Sequence, residues 1–294
     1  LYYDCVSAPR EPQHVCLAES HDGISWHKPS LGLYAFQNST DNNIVLGAVG
    51  CTPFIDTKPG VAAVEAWKMV CSDAEGARGT VFTSPDGLGW RPLPDIKPLS
   101  CTGHPVGPCD DTQPTASWDL ALKRYVIYIR VNIGAHDAGN RRHVGRCITP
   151  NISDWESERP CEVVFGADSQ APPRLDVYTN AHIPYPSAEH TAAHLFFPSF
   201  FHHFAGTDAH GGPPNGLSND GLLDTRLVVA RDQRSNLSYP ADGARSPFVA
   251  LGINRCHGWS PSQPGGWCSP TVSTQENFLR AFLTLFEIPA RVNA

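Results

Sequence analysis

Glu19–Trp26, read as ESHDGISW, and Thr83–Trp90, read as TSPDGLGW, are near copies of one motif, Ser-x-Asp-Gly-x-x-Trp, far apart in the chain. The motif suits a tight turn: Asp accepts from nearby backbone N–H groups, Gly takes a positive φ, and Trp packs beneath. A third copy, TPNISDW at Thr149–Trp155, keeps the same spacing between its first and last members. The first members fall at Ser20, Ser84 and Thr149, so the offsets are 64 and 65 residues. A fourth, worn copy, ARDQRSN from Ala230, keeps Asp232 but has Asn236 where Trp would stand, and its offset of 81 implies an insertion. A fixed period of this size marks a repeat architecture.

A second landmark recurs out of phase with the first. Asp56 in FIDTKPG, Asp111 in DDTQPTASWD and Asp176 in LDVYTNAHIPYP each introduce a short segment, a turn and a strand-like run: AWKMV, RYVIYIR and HLFFPSFF. Each unit reads as Asp, strand, turn, apolar strand, a third strand ending near the Ser-x-Asp-Gly turn, and a loop carrying Trp. Four strands in about 65 residues is one propeller blade, whose small sheet buries its faces only by stacking on its neighbours.

Composition agrees. With 41% apolar and 17% charged residues the 294-residue chain can bury a sizeable core. Its 27 prolines and 25 glycines are spread throughout, which would interrupt long helices but suits short strands joined by turns. The expectation is an all-β chain, residues 1–294 forming a single propeller domain in which 245–294 is an irregular, disulfide-stapled C-terminal segment. A net charge of -7 and a pI near 6.0, with no Lys/Arg cluster, argue against a nucleic-acid or anionic-membrane partner. No run approaches the ~20 apolar residues of a membrane span; the most apolar stretch, FLRAFLTLF, is short and carries Arg280.

The ten cysteines fall as sequence neighbours: Cys5/Cys16, Cys51/Cys71, Cys101/Cys109, Cys147/Cys161 and Cys256/Cys268. None has Cys-x-x-Cys spacing, so loop- and hairpin-closing disulfides fit better than a zinc or redox motif. Three glycosylation sequons, at Asn38, Asn151 and Asn236, point the same way. Together they predict a secreted glycoprotein, processed ahead of Leu1.

The stretch from ESHDGISW to Leu46, followed by FIDTKPG, AWKMV, SPDGLGW and WDLALKRYVIYIR, resembles the secreted five-bladed β-propeller glycoside hydrolase superfamily, within it the invertase-type fructosidases and the arabinanase and xylosidase group. The turns look like a shortened relative of the sialidase Asp-box. This resemblance implies a five-bladed β-propeller, four of whose blades are recognisable, acting on carbohydrate in a central funnel. It implies that Asp56, Asp111 and Asp176 converge there: Asp56 as nucleophile or general base, Asp111 as the carboxylate that tunes pKa, Asp176 as the nearest candidate for the acid. Glycoside cleavage needs such a pair, and crowding carboxylates raises the pKa of one. The family uses Glu as its acid, and none stands at Asp176; Glu189, thirteen residues on, is the nearest alternative. The invertase-type Asn-Asp-Pro and Arg-Asp-Pro signatures are absent.

Around the funnel, Arg130, Asn180 and His182 would bond sugar hydroxyls and Tyr178 would stack on a pyranose face. A structural reading stands beside each: the Asp residues as turn or strand-start carboxylates, Tyr178 packing between blades, Arg130 paired with an acidic neighbour. His190 and His194 in EHTAAH lack the metalloprotease pattern, and no Gly-x-Ser-x-Gly occurs, so neither a zinc peptidase nor a serine hydrolase is expected. No cofactor is expected, no spaced calcium loop appears, and a structural Ca²⁺ is left open. Two functions follow: a secreted glycoside hydrolase, or a catalytically silent extracellular propeller that binds a glycan or assembles with extracellular proteins.

Overall fold

The computed structural model describes residues 1–5, 13–74, 77–97, 113–133, 142–158, 160–167, 171, 175–186, 191–205, 217–240 and 247–248. They form four small antiparallel sheets arranged as a β-propeller. Blade one holds β1 (Tyr2–Cys5), β2 (His14–Leu17) and β3 (Ile44–Leu46); blade two holds β4 (Val49–Ile55), β5 (Trp67–Ala74), β6 (Ala77–Ser84) and β7 (Arg91–Pro92). Blade three holds β8 (Thr115–Asp119), β9 (Arg124–Asn132), β10 (Arg142–Thr149) and β11 (Glu162–Phe165). Blade four holds β12 (Leu175–Pro186), β13 (Thr191–Ala205), β14 (Leu217–Thr225) and β15 (Val228–Ala230), the last two sharing β13 as a broken third strand. The four blades expected from the sequence are present; no fifth blade occurs among the described residues.

Alternation along the strands builds the ring. On β9, Tyr125, Ile127, Ile129 and Val131 pack against Phe54, Val70 and Val81 of blade two, while Val126 and Tyr128 face Val177, Phe196 and Phe200 of blade four. Blade one meets blade two through Tyr2, Val15 and Leu17 against Met69 and Phe82. Blades two and three thus bury both faces, which a lone four-stranded sheet could not do. The strands β4, β8 and β12 touch in succession and are the inner ones. Pro53 is accommodated because β4 pairs only with β5, leaving an edge on which a missing N–H costs nothing.

The four copies of the opening motif follow β2, β6, β10 and β15, one in each blade. Asp22 Oδ1 accepts the backbone N–H groups of Ile24 (2.8 Å) and Ser25 (2.7 Å); Asp86 does the same for Leu88 and Gly89, and Asp232 for Arg234 and Ser235. In the third copy Asn151 takes the place of Asp and accepts from Ser153 N–H at 3.1 Å. The backbone N–H of Ser25, then that of Ile24 and the Ser20 hydroxyl, hold Asp22 down at about 2. Gly87, at φ 80°, leaves no room for a side chain: an added Cβ would lie 2.5 Å from the Tyr2 hydroxyl, which donates to the Gly87 carbonyl. The motif is a blade-closing turn on all four blades.

Cys5–Cys16, Cys51–Cys71 and Cys147–Cys161 are disulfide-bonded, as their spacing predicts. Cys101, Cys109, Cys256 and Cys268 lie outside the described residues, as does most of the stapled segment expected at 245–294. Among the described residues no helix is long and apolar enough to cross a membrane.

Candidate functional site at one end of blades three and four

The three aspartates were expected at equivalent blade starts, and the structure corrects this for Asp56. Asp56 follows the last residue of β4 and lies in the connection to β5, whereas Asp176 is the second residue of β12. The counterpart of Asp56 on blade three is Asp119, which ends β8 and accepts from Leu122 N–H at 2.8 Å. The misplacement has a local cause: VGCTPFI, with Gly50 and Pro53, does not alternate like a strand, so Asp56 reads as a beginning. The position on blade two matching Asp176 is the start of β4, and residues 44–55 contain no carboxylate. Asp111 and Glu189 lie outside the described residues.

Nor do Asp56 and Asp176 converge. Asp56 meets the Tyr125 hydroxyl, which donates to Oδ2 at 2.7 Å, where β9 begins. Asp176 meets Arg142, whose backbone N–H donates to Oδ1 at 3.2 Å, where β9 ends opposite in register at Asn132. Tyr125 and Asn132 are seven residues apart on one strand, ~23 Å of β-structure at ~3.3 Å per residue. Carboxylate pairs in glycosidases stand ~5–9.5 Å apart. The two face opposite ends of blade three.

Both are also sequestered. Asp56 has no exposed side-chain surface; Lys68 Nζ lies 2.9 Å from Oδ2 and is itself buried, and Lys58 N–H donates to Oδ1. The Tyr125 hydroxyl is pushed far up, by burial first and then by its bond to Asp56, so it stays a donor. Asp176 is 1% exposed and ion-paired with Arg142 at 2.8 Å, with His203 Nε2 at 2.9 Å from the same oxygen.

At the Asp176 end the other expected residues divide. Tyr178 is flanked by two guanidinium groups, those of Arg130 and Arg142 each 5.3 Å from its ring centre, and Phe201 lies 5.6 Å away. Arg142 Nε is buried and without a partner among the described residues. Asp176, Arg130 and Tyr178 are therefore brought together, with Arg142 and His203 as members that sequence reading missed. The signal for Arg142 was present in RRHVGR, a strand with charged residues on both sides. Asn180 and His182 are separated from them by a β-bulge between Val177 and Thr179, where Tyr178 is the extra residue, and the bulge reverses the facing of the residues beyond it. His182 thus turns into the interface with blade three, 4.9 Å from the ring of Tyr128, and its Nε2 lies 2.9 Å from Nδ1 of His194. Burial first, then the neighbouring His194, lowers His182 well below the usual histidine range. Among the described residues no group of three or more His, Cys, Asp or Glu is placed to hold a metal ion.

Fold and site define a disulfide-linked β-propeller with a polar, arginine-framed end. Among solved structures it is similar to the exo-β-1,3-galactanase of Phanerochaete chrysosporium with galactose, at 11% identity and TM-score 0.34, over 70% of this chain and 52% of that one. It is similar also to a Bifidobacterium bifidum s17 protein assigned the same activity, at 12% identity and TM-score 0.31, over 65% and 74%. The chain spans about half the length of the fungal enzyme. No family model and no curated protein matches it. Identity this low leaves function to be read from this chain's own residues.

Proposed function

We propose that this is a secreted glycan-recognition propeller of the glycoside hydrolase type, which binds carbohydrate at the Asp176 end without cleaving it through Asp56 or Asp176. The observation that carries this reading is the placement of the two carboxylates: each is buried against a cation, and they stand at opposite ends of blade three. A general acid must reach the leaving oxygen and carry a proton near neutral pH. An aspartate whose oxygens are taken up by Arg142, His203 and a backbone N–H is instead an acceptor that orients the guanidinium.

The same geometry supports sugar binding. Arg142, held from one side by Asp176, presents a fixed donor array beside the Tyr178 ring, and ring faces with planar donors recognise pyranoses. Secretion is supported by the three disulfides, which persist in oxidising compartments, and by the exposure of Asn38, Asn151 and Asn236. The test is titration calorimetry against neutral and acidic oligosaccharides, run beside an assay for released sugar. Binding without release is expected, weakened by Tyr178→Ala. Release of sugar that disappears in Asp176→Asn would overturn the reading.

A further inference from the structure

Buried polar groups are nearly always hydrogen-bonded, and the exceptions in a native fold point to something that fills their valences. Four such residues occur together between the inner strands of blades three and four. Thr115 and Ser117 on β8 pair in register with Tyr128 and Val126, which face blade four, so their side chains face blade four as well. Ala116 and Trp118, the alternate residues, belong to the opposite core. Across from them, the bulge at Tyr178 turns His182 toward blade three, and Asn180, two residues earlier, shares that side. Gln233, from the turn after β15, closes the lower edge by donating from Nε2 to Asp119 at 3.0 Å.

Thr115 Oγ1, Ser117 Oγ, both amide atoms of Asn180 and Gln233 Oε1 are buried and have no hydrogen-bond partner among the described residues. Thr115 is 7% and Asn180 8% exposed. Leaving so many groups unmade in one interface is costly, so these five atoms call for partners that the described residues do not supply. Water fits the unliganded state, since each molecule needs two to four polar partners and finds them here.

We infer that this interface is a hydroxyl-binding cleft, which takes the end of a neutral sugar in exchange for that water; the inference rests on the glycan-recognition reading above. The chemistry selects the class. The unpartnered set mixes an amide donor with hydroxyl and carbonyl acceptors, which matches sugar hydroxyls that both donate and accept. A carboxylated sugar would meet Asp119 and too few donors, and a cation would meet the Asn180 amide nitrogen. Asn180 lies four residues along β12 from Asp176, ~13 Å at ~3.3 Å per residue. Tyr178 and the two arginines then frame the mouth, and Thr115, Ser117 and Asn180 grip the terminal residue.

The test uses Thr115→Val, which keeps the shape and removes the hydroxyl, with Ser117→Ala as a second variant. The probes are xylotriose, arabinotriose and β-1,3-galactotriose, with trigalacturonic acid as the charged comparison. Expected are at least tenfold weaker binding of the neutral ligand by Thr115→Val and an unchanged melting temperature, because the shape is kept and only a hydroxyl without a protein partner has gone. If both variants bind neutral sugars as the parent does while Tyr178→Ala has lost them, the cleft is overturned and glycan recognition stands. Tighter binding of trigalacturonic acid than of every neutral probe overturns the cleft too. A parent that binds no probe overturns both.

Discussion

Asp56 and Asp176 are the same residue type, both buried, both against a cation, at the two ends of blade three. The Asp56 end is closed: Lys68 is 4% exposed, its Nζ also donates to the Glu65 carbonyl, and Tyr125 fills the remaining side. The Asp176 end is open at one point, because Arg142 keeps a tenth of its side chain exposed and lies against Tyr178, itself half-buried. A carboxylate in a closed knot locks two blades together, whereas one behind a partly exposed arginine sets the direction of a binding group. Burial alone would not distinguish them.

The strongest way to break the comparison is Asp56→Ala. It strands Lys68 without its partner in a dry interface, and removing one member of a buried pair costs about 3–5 kcal/mol. Urea denaturation should show this loss, and a second change, Lys68→Met, should restore most of it. Asp176→Asn should cost less, about 2–3 kcal/mol, since the amide still accepts from Arg142 and water reaches the guanidinium. Its larger effect should be on glycan affinity, lowered tenfold or more. Equal destabilisation by the two variants, with binding untouched in both, would show that the ends do the same work.

These two ends also mark what the sequence reveals and what it conceals. The turn repeat exposes the blade period because its hydrogen bonds are local: Asp22, Asp86 and Asp232 each bond two to three residues ahead, so spacing in sequence is spacing in space. The cysteine pairs were legible for the same reason, Cys51 and Cys71 being direct cross-strand neighbours. Where Asp56 lies along its blade was not legible, since Gly50 and Pro53 hide the strand before it. The bulge at Tyr178 was hidden as well, because one extra residue in a strand leaves no mark in composition yet reverses the facing of Asn180 and His182. Lys68 inside AWKMV and Arg142 before HVG were the available signals that each carboxylate had a buried partner.

Between the two ends lies the His182–His194 pair, which sharpens the comparison through pH. Both are held below the usual histidine range, burial being the main cause, with Asp119 and Asp232 opposing it at His194. Around them are the Tyr128 hydroxyl and Arg146, the latter ion-paired with Glu162. The unfolded chain binds protons at these histidines from about pH 6.5 downward, and the folded chain only at lower pH. Stability is therefore fully present above that pH and falls as pH drops, by up to about 1.4 kcal/mol per pH unit for each histidine. Urea midpoints from pH 8 to 5 should fall, and His182→Asn should flatten the slope. An unchanged slope in that variant would place the acid sensitivity elsewhere.

The smallest effect is expected at the motif that reveals the fold. Asp86→Ala removes two bonds from the exposed N–H groups of Leu88 and Gly89, which water can replace, so it should cost no more than about 1 kcal/mol. Glycan affinity should not change, because the turn follows the third strand of blade two, away from the inner strands that carry Tyr178 and Asn180. Gly87→Ala at the same turn should cost more than Asp86→Ala, since its Cβ would meet the Tyr2 hydroxyl and its φ is unfavourable to alanine. Melting temperatures of the pair test this order. If Asp86→Ala proved the more damaging, the carboxylate rather than the glycine would set the turn, and the third copy, where Asn151 stands in for Asp, would need another source of stability.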